Sequence, residues 1–261
     1  MNLHEYQAKE LLRKFKLPLL NGKIFIESLS NIEIELNSIK GPPWVVKSQI
    51  HAGGRGAGYF KNATNKDGGV RVLKNKNEVK AIAEFMLGNT LVTKQTGSEG
   101  KKVNRIFIEE GCDIEREFYL SLLIDRNKSQ LMMMISAAGG IDIEEVAQNN
   151  PEKIYTTYFN DLNEINIEEQ LRQKIILSDN QFNELSSIIK KLVKAFRELD
   201  ASIIEINPLV LNKQGHFIIL DAKISLDDNA LFRHPELEAL KDITEENSLE
   251  LEASNNDMSY V

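Results

Sequence analysis

The run His51-Ala52-Gly53-Gly54-Arg55-Gly56-Ala57-Gly58 combines backbone able to approach an anion closely with one positive charge. Glycines let successive N–H groups reach phosphate oxygens, and Arg55 adds a forked donor. This is not a P-loop, because it lacks a closing Gly-Lys-Ser/Thr and is followed by a strand pattern instead of a helix. A strand, glycine loop, strand order fits a flexible lid over phosphates; it also fits a long hairpin turn. Lys47, within Trp44-Val45-Val46-Lys47-Ser48-Gln49-Ile50, poses the same choice. It is either a solvated residue on the outer face of a strand or a buried phosphate contact.

A second constellation sets Glu205-Ile206-Asn207-Pro208 against Asp221-Ala222-Lys223. In a strand, residues 205 and 207 share one face while Ile204 and Ile206 take the other. A hairpin turning at Lys213-Gln214-Gly215 puts Asn207 about opposite Asp221. An amide oxygen and a carboxylate across two strands form a sparse hard-oxygen site, which suits Mg²⁺ when phosphates and waters complete its shell. The plainer alternative is the solvated polar face of an edge hairpin.

A third group is Glu109, at the end of Phe107-Ile108, followed by the irregular turn Gly111-Cys112-Asp113 and by Glu117. Backbone at such a strand end can hydrogen-bond an adenine edge while Glu117 reaches ribose hydroxyls, although exposed glutamates are the commoner cause of the pattern. Cys112 has no partner pattern for catalysis, and His4, His51, His216 and His234 are too scattered to read as a metal site.

The elements that must position these residues are legible as periodicities. Residues 3–15 put Leu3, Tyr6, Leu11 and Phe15 near one helical face, with Glu5, Lys9, Arg13 and Lys14 mostly elsewhere. Strands are expected at 23–26, 44–50, 69–73 and 102–109, with helices in 29–39 and 77–87. An antiparallel pair, 114–125 and 130–136, should follow, then helices at 141–146 and 182–199 and a hairpin of 203–211 with 216–223. Phe182, Leu185, Ile189, Leu192 and Phe196 share a face of the long helix. After Leu240 the chain turns acidic and polar.

Composition limits the function classes. The 261 residues are 42% hydrophobic and 27% charged, as in ordinary soluble globular proteins. The formal charge, 32 − 39 = −7, argues against a general basic surface for nucleic acid. One cysteine fits a reducing compartment, no apolar run is long enough to span a bilayer, and the first residues lack signal-peptide order. A cytoplasmic location without membrane or nucleic-acid partners is the expectation.

Together these segments resemble the ATP-grasp domain of the β subunits of succinyl-CoA synthetases. The resemblance runs from Met1-Asn2-Leu3-His4-Glu5-Tyr6-Gln7-Ala8-Lys9 through Val45-Val46-Lys47, the glycine loop, Leu91-Val92-Thr93 and Gln95-Thr96. It continues through 142–147, Glu205-Ile206-Asn207-Pro208-Leu209 and 227–233, in the family's order. It implies an α+β ATP-grasp fold over 1–246, with a small lobe at about 20–98 and a larger lobe of 1–19 plus 99–246. Residues 247–261 would start a linker to a C-terminal CoA-ligase-type domain that this chain does not contain.

The implied activity is that of a ligase, ADP- or GDP-forming succinate–CoA ligase. Mg²⁺ and ATP or GTP would be held between the lobes, and a histidine of an α subunit would be phosphorylated in an αβ or α2β2 complex that completes the succinate and CoA sites. Lys47 and the Gly54-Arg55-Gly56 backbone would hold phosphates. Glu109 and the Cys112 backbone would meet the base, Glu117 the ribose, and Asn207 with Asp221 the Mg²⁺. Glu205 would contact the phosphohistidine. The β subunit of malate–CoA ligase and a non-catalytic nucleotide-binding module are the alternatives. Two departures bear on the site. Ala57 stands where a lysine usually follows Gly-Arg-Gly, with Lys66 as a distant substitute, and Ala138 stands where the family commonly has glutamate.

Overall fold

The computed structural model describes residues 1–61, 63, 67–159, 171–172 and 174–246; the sequence expectations for Lys66 and for 247–261 lie outside the described residues. Two hydrophobic cores organise the chain. The first lies under a four-stranded antiparallel sheet of order β1-β7-β2-β4, built from β1 (Gly22–Ile26), β2 (Trp44–Gln49), β4 (Val70–Leu73) and β7 (Arg105–Glu110). Helices α2 (Ile32–Leu36) and α3 (Lys76–Met86) close it, burying Ile32, Leu36, Val79, Ala83 and Met86 against Trp44, Val46, Ile106 and Ile108. A small sheet of β3 (Tyr59–Phe60), β5 (Thr90–Val92) and β6 (Lys101–Lys102) adjoins it. The expected lobe boundary near residue 98 differs from this pairing. β7 lies between β1 and β2, because its alternate residues Ile106 and Ile108 complete the first core.

The second core lies under the larger sheet, β10-β9-β8-β11-β12, with β13 also on β11. Its strands are β8 (Ile114–Asp125), β9 (Gln130–Ser136), β10 (Ile154–Phe159), β11 (Ala201–Asn212), β12 (Phe217–Ile219) and β13 (Ala222–Leu226). The β8–β9 pair occupies the residues that the sequence pattern indicates. Helix α5 (Asp179–Glu198) packs the expected residues Phe182, Leu185, Ile189, Leu192 and Phe196 into this core, and Ser178 with Gln181 caps it by a reciprocal capping box. Three short helical segments are α1 (Glu5–Lys14), α4 (Ile143–Asn149) and α6 (Pro235–Glu238). β10, whose Ile154-Tyr155-Thr156-Thr157-Tyr158-Phe159 sequence alternates weakly, was not evident from periodicity alone.

The predicted second strand of the last hairpin is broken in two. β12 pairs with Leu209–Leu211 and β13 with the earlier part of β11, leaving Leu220 and Asp221 between them. Opposite the break, the register of β11 against β8 shifts between Ile206 and Leu209, so Asn207 and Pro208 form a bulge. Asn207 N–H still donates to Asp221 O (3.3 Å), and Leu220 N–H to Pro208 O (3.1 Å).

α1 begins at His4, in extended backbone, whose N–H donates to Gln7 Oε1 at 2.9 Å. The His4 ring lies with its centroid 4.2 Å from that of His51, and its Nε2 is 2.7 Å from Asp242. Arg105 also pairs with Asp242, and Lys101 with Glu245. Burial, with His51 nearby, lowers His4 to a pKa of about 4 against the pull of Asp242; burial and Lys101 bring His51 to about 4 as well. Unfolding returns both rings to an ordinary value near 6.5, so the unfolded chain binds more protons between these limits. Stability is therefore full above about pH 6.5 and declines as pH falls toward 4. Urea unfolding should lose roughly 2 kcal/mol per ring between pH 7 and 4.5, about 4 in all, with a shallower decline in His51→Gln. A flat profile in that window would contradict the assignment.

Candidate functional site

Where the two cores meet, the chain buries a group of charges. Glu5 and Lys9 stand one turn apart on α1, hence on one face. In the β2–β7 ladder Lys47 is opposite Phe107 and Glu109 opposite Val45, which makes Lys47 and Glu109 diagonal neighbours on the face toward α1. Lys9 Nζ lies 2.9 Å from Glu5 and 2.6 Å from Glu109; Lys47 Nζ lies 2.8 Å from Glu5 and 2.5 Å from Glu109. Both ammonium groups also donate to Leu220 O, at 2.6 and 2.7 Å. That carbonyl is available because Leu220 sits in the break between β12 and β13. Lys9 is 2% exposed and Glu109 1%.

The glycine loop delivers the third cation. Gly54 adopts φ 70°, a left-handed conformation, and starts a single 3₁₀ turn over Arg55–Ala57. Gly69 N–H donates to Arg55 O at 2.8 Å, and a side chain on Gly68 would strike the Gly56 carbonyl. Thus anchored, Arg55 sends its guanidinium inward, where Nη1 donates to Ser48 O (2.9 Å) and Nη2 to Glu5 (2.8 Å) and Asp221 (2.6 Å). Gly53 N–H donates to Gln95 Oε1 at 2.6 Å, which ties the loop to the Gln95-Thr96 segment. Arg55 is 8% exposed and held by the two carboxylates of Glu5 and Asp221.

Burial works against charge on Lys47, but Glu109, Glu5 and Asp221 more than offset it and hold the ammonium above its ordinary range. Arg55 is likewise held up against burial by Asp221 and Glu5. Burial would raise Glu5; Lys47, Lys9 and Arg55 overcome it and keep the carboxyl well below the usual range. The cluster is balanced, with Lys9, Lys47 and Arg55 against Glu5, Glu109 and Asp221. Removing Glu5, Lys9, Lys47 or Glu109, each of them buried, leaves an uncompensated buried charge, a loss of about 3–5 kcal/mol for pairs of this kind.

A second set of predicted residues gathers at the β11 bulge. Asn207 Oδ1 accepts from Gly140 N–H (2.8 Å) and its Nδ2 donates to Ile141 O (3.0 Å). A side chain on Gly139 would overlap the Phe118 backbone, and one on Gly140 would strike the Glu117 carboxylate. The turn after β9 therefore bridges Glu117 and Asn207. Glu205 lies on β11 opposite Lys223 and Ser121. Burial raises its pKa despite Lys223, and Glu144, Asp221 and Asp142 push the same way. Cys112 is half-buried in the loop after β7, and burial with Glu109 and Asp113 pushes its thiol up.

Of the residues picked out by sequence, Lys47, Arg55, Glu109 and Asp221 converge, and Asn207 joins Asp221 through the backbone. Glu109 differs from the exposed-glutamate alternative, since its carboxylate is fully paired. Glu5 and Lys9 were expected away from the apolar face; both are core members of the site. The only signal for them was opposite charge at i,i+4, which describes a solvated helix surface equally well.

The sequence pattern of the ATP-grasp domain matches residues 2–211. The succinate–CoA ligase [ADP-forming] subunit beta of Acidiphilium cryptum is 49% identical over 263 residues, covering 100% of this chain and 66% of that protein. The same-named proteins of Bartonella quintana (49%) and Paramagnetospirillum magneticum (47%) align over equal shares. The chain thus spans 66% of the length of these relatives. Among solved structures, ATP citrate lyase from Methanothrix soehngenii superposes with a TM-score of 0.71 at 17% identity, over 98% of this chain and 59% of that one. The dinucleotide-forming acetyl-coenzyme A synthetase 1 of Ca. Korarchaeum cryptofilum gives 0.58 at 17%, over 87% and 93%. These two likenesses concern the fold alone. With the domain pattern extending over most of its length, this chain belongs to the ATP-grasp family.

Proposed function

We propose that this chain is the nucleotide-binding part of a succinate–CoA ligase β subunit, which binds Mg²⁺ with ATP or GTP at the seam between the two cores. The observation that carries the reading is the convergence of Lys47, Arg55, Glu109 and Asp221, from both cores, in one buried cluster. The relatives named as such ligases support the choice of reaction. The full conversion joins succinate and CoA with ATP to give succinyl-CoA, ADP and phosphate. It also requires an α subunit, whose histidine accepts the γ-phosphoryl group and passes it to succinate.

In this reading Lys47, Arg55 and the Gly54–Gly56 N–H groups neutralise and orient the phosphates. Glu109 and the Cys112 backbone are at the base side, Glu117 at the ribose, and Glu205 meets the phosphohistidine. Asn207 and Asp221 fit a hard divalent cation. They offer an amide oxygen and a carboxylate from adjoining strand segments joined by a backbone hydrogen bond, and the Asp221 side chain is 35% exposed. A bound Mg²⁺ would supply neutralisation of phosphate charge. Such transfer depends on positioning and charge stabilisation, with no covalent residue on this chain.

The isosteric Asp221→Asn should weaken Mg²⁺-dependent ATP binding roughly tenfold or more, equivalent to about 1.4 kcal/mol. Its melting temperature should stay close to that of the parent. Calorimetry with and without Mg²⁺ reads this, and unchanged Mg·ATP affinity in the folded variant would remove the metal assignment. A second outcome concerns the acceptor. Incubation with γ-labelled ATP should leave no stable label on this chain, whereas a co-purified α subunit should acquire an acid-labile label. Label retained on one of the four histidines here would contradict the proposed division of labour.

A further inference from the structure

Arg55 and Asp221 were each assigned to ligand binding by sequence, yet the structure pairs them with each other. The guanidinium lies 2.6 Å from Asp221 Oδ2 and 2.8 Å from Glu5 Oε2. Its backbone is fixed independently, since Arg55 O accepts from both Gly58 and Gly69. The side chain can therefore leave Asp221 by rotation while the loop stays in place. Around this pair the buried cluster already balances, with Lys9 and Lys47 satisfied by Glu5, Glu109 and the Leu220 carbonyl. Adding a lone divalent cation at Asp221 would displace the guanidinium into a seam whose Glu5 and Glu109 already hold Lys9 and Lys47, and would set the new charge near Lys47. In a poorly solvated site that repulsion is large. A polyphosphate changes the balance, because its oxygens give the displaced guanidinium a bidentate partner.

We propose that Arg55 is the internal counter-cation of Asp221, so that guanidinium and divalent cation are alternative occupants of this carboxylate and the cation enters only with a polyphosphate. The inference rests on the proposed metal role of Asp221 and adds an order of assembly to it. It also gives Arg55 two positions with one function each: at Asp221 it excludes free cations, and at the phosphates it neutralises charge.

Protein-bound Mn²⁺, followed by electron paramagnetic resonance, tests this in the 1–261 chain without any turnover. Without nucleotide, Arg55→Gln should bind Mn²⁺ at least roughly tenfold more tightly than the parent, whereas Arg55→Lys, which keeps the charge, should not. In the parent chain, inorganic tripolyphosphate should promote protein-bound Mn²⁺ and adenosine should not; this arm needs no variant and stands even if Arg55→Gln fails to fold. Equal Mn²⁺ affinity of the parent and a folded Arg55→Gln, or equal promotion by adenosine and tripolyphosphate, would overturn the proposal. Asp221→Asn separates the two levels. If it abolishes Mn²⁺ binding with a non-hydrolysable ATP analogue while Arg55→Gln changes nothing, the counter-cation role falls and the metal role stands. If Asp221→Asn binds Mn²⁺ and analogue like the parent, the metal role itself falls.

Discussion

Five buried charged side chains and the half-buried Asp221, gathered at one seam, set the terms for the rest of this molecule. A charge removed from water is tolerated only when its partner is at hydrogen-bond distance, and here the partners come from several elements. Glu5 alone receives Lys9 from its own helix, Lys47 from β2, Arg55 from the glycine loop and Gln49 from the end of β2. Shifting any of these elements would strand a charge, so α1, the first sheet and the loop are fixed relative to one another. Apolar residues of similar volume would pack the seam at least as well, but they could not exchange partners with an incoming polyanion. That difference is the physical reason to read the cluster as functional.

The seam depends in turn on a local irregularity in the larger sheet. A regular β11 hairpin would use the Leu220 carbonyl in its ladder and turn Asp221 into an ordinary edge residue. Splitting the return strand into β12 and β13, opposite the Asn207-Pro208 bulge, releases the carbonyl toward Lys9 and Lys47 and carries the Asp221 carboxylate to Arg55. The same bulge turns the Asn207 amide toward Gly140, where the absence of a side chain lets the 137–141 turn pass over Glu117. Bulges that redirect side chains recur beside functional sites for this reason. The departure at Ala138 falls in this turn, beside the segment that carries Asp142 and Glu144.

Much of this protein was legible in the sequence alone. Periodicity located α5 and the β8–β9 pair, because a long amphipathic face and two apolar runs around a polar turn leave few other folds. The motifs around Lys47, Gly54-Arg55-Gly56 and Glu205-Ile206-Asn207 pointed to the chemistry proposed for the site, since glycine, lysine, arginine and paired oxygens are the groups that phosphate and a hard cation need. What the sequence did not determine was which charge would meet which. Glu5 and Lys9 carry the periodicity of a solvated face, and only the docking of α1 against β2 and β7 buries them. The division of the return strand, the central place of β7 in the first sheet and the Arg55–Asp221 pair were likewise tertiary decisions. Each depends on contacts between residues far apart in the chain, and a local pattern of residue types records a side chain's chemistry without recording the neighbour that will satisfy it.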